Sequence, residues 1–152
     1  MIDRRDLFRL RMWTNDYNWD WGDYKMIYNV ECRDYSQNTM LSVCNFEELL
    51  DNHDTYNIML CTGIKDSKGK LIYENDIIEI EYVFNRKIKY QVKYGEYTHY
   101  LRPHTNIGFY MQDLKDNTTW SFEVASSSTT IVGNIYETVE FEYLQGERNE
   151  LE

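Results

Sequence analysis

A chain of 152 residues with a net charge of −10 at pH 7 is long enough to bury a core without disulfides or metal, and phosphate backbones repel it. Its 14 tyrosines and single proline suit a half-buried pleated surface. Cys32, Cys44 and Cys61 are odd in number and form no C-x-x-C pair, which argues against a zinc or redox motif and fits reduced thiols in a cytoplasm.

No apolar stretch is long enough to cross a membrane. The opening "MIDRRDLFRLRMW" carries basic residues with no apolar run behind them, so no signal peptide is expected. Residues 1–145 are expected to form a single β domain, followed by a polar tail over 146–152.

In chain order, "FRLRMW" alternates Phe8, Leu10 and Met12 with Arg9 and Arg11, which predicts a strand with one apolar face. "TNDYNWDWGDY" reads as a turn or loop, and "KMIYNVECR" as the returning strand. "NFEELLDN" is the one helix candidate: Asn45 can cap it, and Glu47 and Glu48 suit its positive end.

From Ile58 onward the chain reads almost wholly as β. "IMLCTGI" and "LIYENDIIEIEY" flank a polar stretch. "KIKYQVKY" places Ile88, Tyr90, Val92 and Tyr94 on one face and Lys87, Lys89, Gln91 and Lys93 on the other. "IGFYMQ" and "TWSFEV" form another expected pair, the second with Trp120, Phe122 and Val124 on one face. "TTIVGNIYE" is a last strand, interrupted at Gly133 and Asn134.

Parity sets two hairpin registers. A three-residue loop pairs a type I turn with a left-handed Gly or Asn. Asp66 would open the first such turn and Gly69 would take the left-handed position, with Ile64 opposite Ile72. In the second, Val83 and Phe84 lead to a left-handed Asn85. Glu81 then faces Lys87, Glu79 faces Lys89 and Ile80 faces Ile88. An even loop would set charge against apolar side chains, so the odd loop is preferred.

The stretch "TGIKDSKGKL" also invites comparison with a phosphate-binding loop. That motif needs four residues between its glycines and a Ser or Thr after the lysine. Five separate Gly63 from Gly69, and Leu71 follows Lys70. The loop must also open a helix, whereas "LIYENDII" is β-favouring. No nucleotide or other cofactor is expected.

Thr62-Gly63-Ile64-Lys65-Asp66, Gly69-Lys70 and Ile72-Tyr73-Glu74-Asn75-Asp76-Ile77 together resemble the central block of the YopX family of phage and prophage proteins. Ile131 to Glu137 resembles that family's ending, and Leu10 to Trp13 and Lys25 to Tyr28 resemble its opening. The blocks keep their order. Asn75 replaces the family's usual glycine and predicts a positive-φ turn. Thr138-Val139 replaces the family's Asn-Pro, and residues from Glu96 to Ser128 match none of its blocks. The resemblance implies a mostly β, barrel-like fold and an origin on bacterial mobile elements. It implies no reaction, since the shared residues, among them Asp66, Gly69, Asn75, Asp76, Gly133 and Asn134, read as turn and core positions.

Other chemistry fits less well. In "DYNWDWGDY", Trp21 occupies the required glycine position of a calcium loop and Ile27 the position of its bidentate glutamate. His99 and His104 lack a third metal ligand nearby, and His53 suits a cap. Glu74 and Asp76 as a catalytic pair would need a shared cleft; turn hydrogen bonds from Asp76 are the simpler reading.

The expected fold is mostly β: a small barrel-like or intertwined pair of antiparallel meanders with one short helix. The expected function is a non-enzymatic accessory protein in the bacterial host cytoplasm that binds a host or phage protein. Trp13, Tyr17, Trp19, Trp21 and Tyr24 offer an aromatic surface for that partner, or for a second copy in a homo-oligomer. The alternative is a nucleic-acid-associated small β-barrel, which the acidic charge disfavours. A hydrolase built on Glu74, Asp76 and a histidine ranks last.

Overall fold

The computed structural model describes residues 9–17, 20–28 and 57–137. Nine strands run through them in two antiparallel sheets, and the protein is mostly antiparallel β. They are β1 (Leu10–Tyr17), β2 (Asp20–Tyr28), β3 (Asn57–Lys65), β4 (Leu71–Tyr73), β5 (Asp76–Glu81), β6 (Lys87–His99), β7 (Arg102–Asp113), β8 (Thr119–Ser121) and β9 (Thr129–Asn134). The helix expected at residues 45–52 and the tail at 146–152 lie outside the described residues. The chain divides into two compact units, Asp3–Cys61 and Thr62–Glu152, the latter taking in Met1–Ile2.

In the first unit β1 pairs with β2 on one side and with the start of β3 on the other. The segment expected as a loop is instead a long hairpin, with Asp16 opposite Trp21 and Tyr17 opposite Asp20. The Asn and Asp residues read as loop signals are overridden by aromatic and β-branched neighbours that favour pairing. A second correction concerns Arg11, expected on a polar face and in fact buried alongside Met59, its register partner. β1 is paired along both edges and is covered on both faces as well: Arg11, Met12 and Thr14 are all buried. Alternation marks a half-exposed strand and carries no information about one buried on both sides.

In the second unit β5 to β8 form a meander in sheet order β8-β7-β6-β5, and β9 adds beside β5. Ile72, Ile78, Ile80, Tyr90, Val92 and Met111 make its buried core. Ile88, Trp120, Phe122 and Val124 pack against it, so the expected apolar face of the "TWSFEV" stretch points inward, as does that of β6 from Ile88 to Val92; Tyr94, expected on the same face, is exposed, and Gln91, expected on the polar face, is buried. Each fully buried Ile or Val contributes roughly 1.5–3 kcal/mol.

Parity predicted the β5–β6 register correctly: Glu81 faces Lys87, Glu79 faces Lys89 and Ile80 faces Ile88. The one departure is in the turn. Asn85 is left-handed as expected (φ 57°), but so is Phe84 (φ 62°), where a type I turn would be right-handed.

The Asp66 turn is built as expected, with Gly69 at φ 81° and Asp66 N–H donating to the Lys70 carbonyl at 2.8 Å. Asp66 Oδ1 accepts the amides of Lys68 and Lys70 at 3.0 and 2.9 Å. Its Oδ2 accepts the Ile131 amide at 3.1 Å, 65 positions along the chain. Ser67 adds a backbone bond to the Thr129 carbonyl at 2.8 Å and a hydroxyl contact with Thr130 at 3.0 Å. The turn therefore fastens the β3–β4 hairpin to β9.

The other shared block behaves similarly. Asn75 is left-handed (φ 67°), and Asp76 Oδ2 accepts the Tyr73 amide at 2.8 Å. The Asn75 amide donates to Val92 and its carbonyl accepts from Ile135, which ties the turn to β6 and to the residue after β9. Gly133 lies opposite Ile77 beside a bulge at Val132. Asn134 ends the strand by accepting the Tyr136 and Glu137 amides at 3.0 and 2.9 Å.

The long β6–β7 hairpin is folded over. Gly95 and Gly108 stand directly opposite each other at φ 146° and 150°. Beyond this crease the tip returns to β8. Tyr100 N–H donates to the Thr119 carbonyl at 2.8 Å, and the Thr119 hydroxyl donates to the Thr98 carbonyl. Tyr97 stacks on Tyr110 at 4.9 Å, and its hydroxyl reaches Ser121. These contacts tie the hairpin tip to β8, the last strand of its sheet.

Candidate functional site

Where β5 meets β6, three large apolar residues stand at the turn. Tyr82, Val83 and Phe84 are all exposed, Phe84 at 99%. A turn tip normally carries Gly, Asn, Asp or Ser, and an aromatic ring in the left-handed region is unfavourable by about 1–2 kcal/mol. Strain of this kind persists where the surroundings impose it and clusters at binding sites.

Beneath the turn lies a groove of about 500 Å³, within the size range of binding pockets. Tyr82, Phe84, Ile88, Tyr90 and Trp120 supply apolar walls, and Arg86, Asp113 and Asp116 place both charge signs on its rim. The β-meander makes this wall: Ile88 and Tyr90 alternate on β6, and Trp120 faces the same way from β8, opposite Met111.

Each wall is held in place. The hydroxyls of Tyr82 and Tyr90 meet at 2.9 Å. Burial, then the Tyr82 hydrogen bond, then the nearby Tyr82 and Asp113 charges raise the Tyr90 phenol above its ordinary range, so it stays neutral. Trp120 Nε1 donates to Thr118 Oγ1 at 2.8 Å, and the rings of His99 and Tyr100 pack on the indole. Asp116 Oδ1 accepts the Thr118 hydroxyl and amide at 2.6 and 2.9 Å. These bonds hold its carboxyl below the usual range and keep it anionic.

The residues singled out in the sequence fall elsewhere. Trp13 stacks on Tyr24 at 6.1 Å, with Trp13 half-buried and Tyr24 exposed. Tyr17 and Trp21 lie on the paired strands of that hairpin, and Trp19 falls outside the described residues, as do His53, Cys32 and Cys44. Cys61 is buried. His99 accepts the Leu101 amide through Nδ1, and Asp76 serves its turn. Among the described residues no cluster of His, Cys, Asp and Glu could hold a metal ion, and no helix is long and apolar enough to cross a membrane.

Sequence reasoning did not find the groove. Its only local signal was the run Tyr82-Val83-Phe84 at a turn, where polar residues are the rule.

The architecture is that of an antiparallel β protein whose distinctive turns, at Asp66, Asn75 and Asn134, serve the packing of its sheets. Residues 11–141 match the family described as YopX protein, and the chain belongs to that family. A search of curated proteins found no match.

Proposed function

We propose that this is a phage or prophage accessory protein of the bacterial cytoplasm that acts by binding another protein rather than by catalysis. The groove under Phe84 is its binding surface. The observation carrying this reading is Phe84 itself: an aromatic ring fully exposed, on a left-handed backbone, at the lip of an apolar groove. Water gains nothing from such an arrangement, whereas a partner that covers the ring recovers its transfer free energy. The Trp13–Tyr24 stack is a second aromatic surface, but the groove is concave and so better suited to an anchor residue.

A photo-crosslinking amino acid at Val83, 78% exposed, tests this in phage-infected host cells. Irradiation is expected to join the chain to a protein, and the same group at Lys68, on the Asp66 turn, is expected to give no such adduct. Absence of an adduct at Val83 overturns the reading.

Nucleic acid is not the partner we propose. Lys87 sits 3.7 Å from Glu79, and Lys89 faces Glu79 across the ladder, so these two lysines of β6 are matched by acids. Duplex DNA binding no tighter than about 10⁻⁴ M is expected at physiological salt. A gel shift at micromolar protein that Lys89→Glu abolishes would contradict this.

A further inference from the structure

The groove and the residue best suited to fill it belong to the same patch. We infer that the occupant is a second copy of this chain, with each copy's Phe84 seated in the other's groove about a two-fold axis. This rests on the reading of the groove as a protein-binding surface and names its partner.

A two-fold interface must be complementary to itself: if one residue meets another, the reverse contact also forms. This patch meets that condition in shape. Phe84 projects fully into solvent as a knob, and a cleft of about 500 Å³ walled by Ile88, Tyr90 and Trp120 lies beside it. Phe84 stands at the lip of the groove, yet its own chain leaves the ring 99% exposed.

The same condition holds in charge. Arg86 lines the groove and is exposed, with no ion pair among the described residues. Asp116 on the β7–β8 turn is anionic and exposed. A two-fold rotation brings the arginine of each copy toward the aspartate of the other. On a chain of net charge −10, two copies meeting through a patch of one sign would repel; this patch carries both.

Backbone strain points the same way. A left-handed phenylalanine destabilises the isolated chain, and glycine or asparagine would relieve it. The ring is explained by what it contacts outside its own chain.

Sedimentation of the purified protein at tens of micromolar tests the exchange. The wild type is expected to be a dimer that dissociates on dilution. Phe84→Gly suits the backbone at φ 62°, so it should fold, with an unchanged far-ultraviolet spectrum, and weaken association at least ten-fold, as expected for a buried aromatic anchor. Arg86→Glu should weaken association, and Arg86→Glu combined with Asp116→Arg should restore it. A monomeric wild type, or a dimer that Phe84→Gly leaves intact, overturns the inference. A monomer that still crosslinks to a different protein through Val83 would overturn the self-exchange alone and keep the groove as a protein-binding surface.

Discussion

Asp66→Ala is expected to destabilise the protein by about 3 kcal/mol, read as a lower urea midpoint with an unchanged slope. The carboxylate is 4% exposed and accepts three backbone amides, two within its own turn and one from Ile131 on β9. Hydrogen bonds to a charged acceptor contribute roughly 1.5–3 kcal/mol each, and removing the acceptor strands the donors. The three share one carboxylate, so their sum is an upper bound. Asp66→Asn keeps an oxygen for the turn but not the charge, and should lose about half as much. A loss under roughly 1 kcal/mol for the alanine variant would show that the turn does not hold β9.

The same residue gives a pH dependence. Burial pushes the Asp66 carboxyl up, but the amides of Ile131, Lys70 and Lys68 and the Lys70 charge outweigh it, and the net shift is below the ordinary 3.8. A carboxylate with a depressed folded value contributes stability that is fully present above its unfolded value. That contribution is lost as pH falls through the folded value. The difference between wild type and Asp66→Asn should therefore be constant from neutral pH down to the ordinary carboxylate range and shrink below it. A difference that persists unchanged into strong acid would contradict the charge-based account.

Gly95→Val and Gly108→Val should each destabilise by about 2 kcal/mol and release the tip of the β6–β7 hairpin. Both glycines occupy the positive-φ region, at 146° and 150°, where a β-branched residue is strained. A Cβ added at either position would meet nothing within 4 Å, so the penalty lies in the backbone rather than in a clash. Alanine should consequently cost nearly as much as valine, which a steric explanation would not give. Because the two glycines share one crease, the double variant should lose less than the sum. Hydrogen exchange offers a local readout. The Tyr100 amide, bonded to the Thr119 carbonyl across the fold, should lose protection before the core amides of β6 do. Unchanged Tyr100 protection in either variant would mean that the crease does not depend on glycine.

The sequence by itself determined whatever depends on nearest neighbours and on the two-residue period of a strand. Ile88, Tyr90 and Val92 alternate with lysines and Gln91, and the charges on Glu79 and Glu81 admit only one register against Lys87 and Lys89. Gly69, Asn75 and Asn85 are left-handed because Gly and Asn tolerate that region and the turns require it. The failure of the phosphate-loop pattern at Leu71 was legible for the same reason, since spacing and local propensity suffice to exclude it.

Only the tertiary structure decided how those pieces close on one another. Arg11 is buried because both faces of β1 are covered, which no local pattern records. The reach of Asp66 to Ile131 spans 65 positions, and local turn chemistry explains only the two bonds to Lys68 and Lys70. Gly95 and Gly108 are unremarkable singly; they form a crease only because the register sets them opposite each other. The groove follows from all of these at once. Tyr82 and Phe84 come from one turn, Tyr90 from β6 and Trp120 from β8, and their convergence depends on sheet order and curvature. Such contacts are favourable only after the intervening chain has been ordered, so their energy belongs to the assembled fold and leaves little trace in the residues taken one neighbourhood at a time.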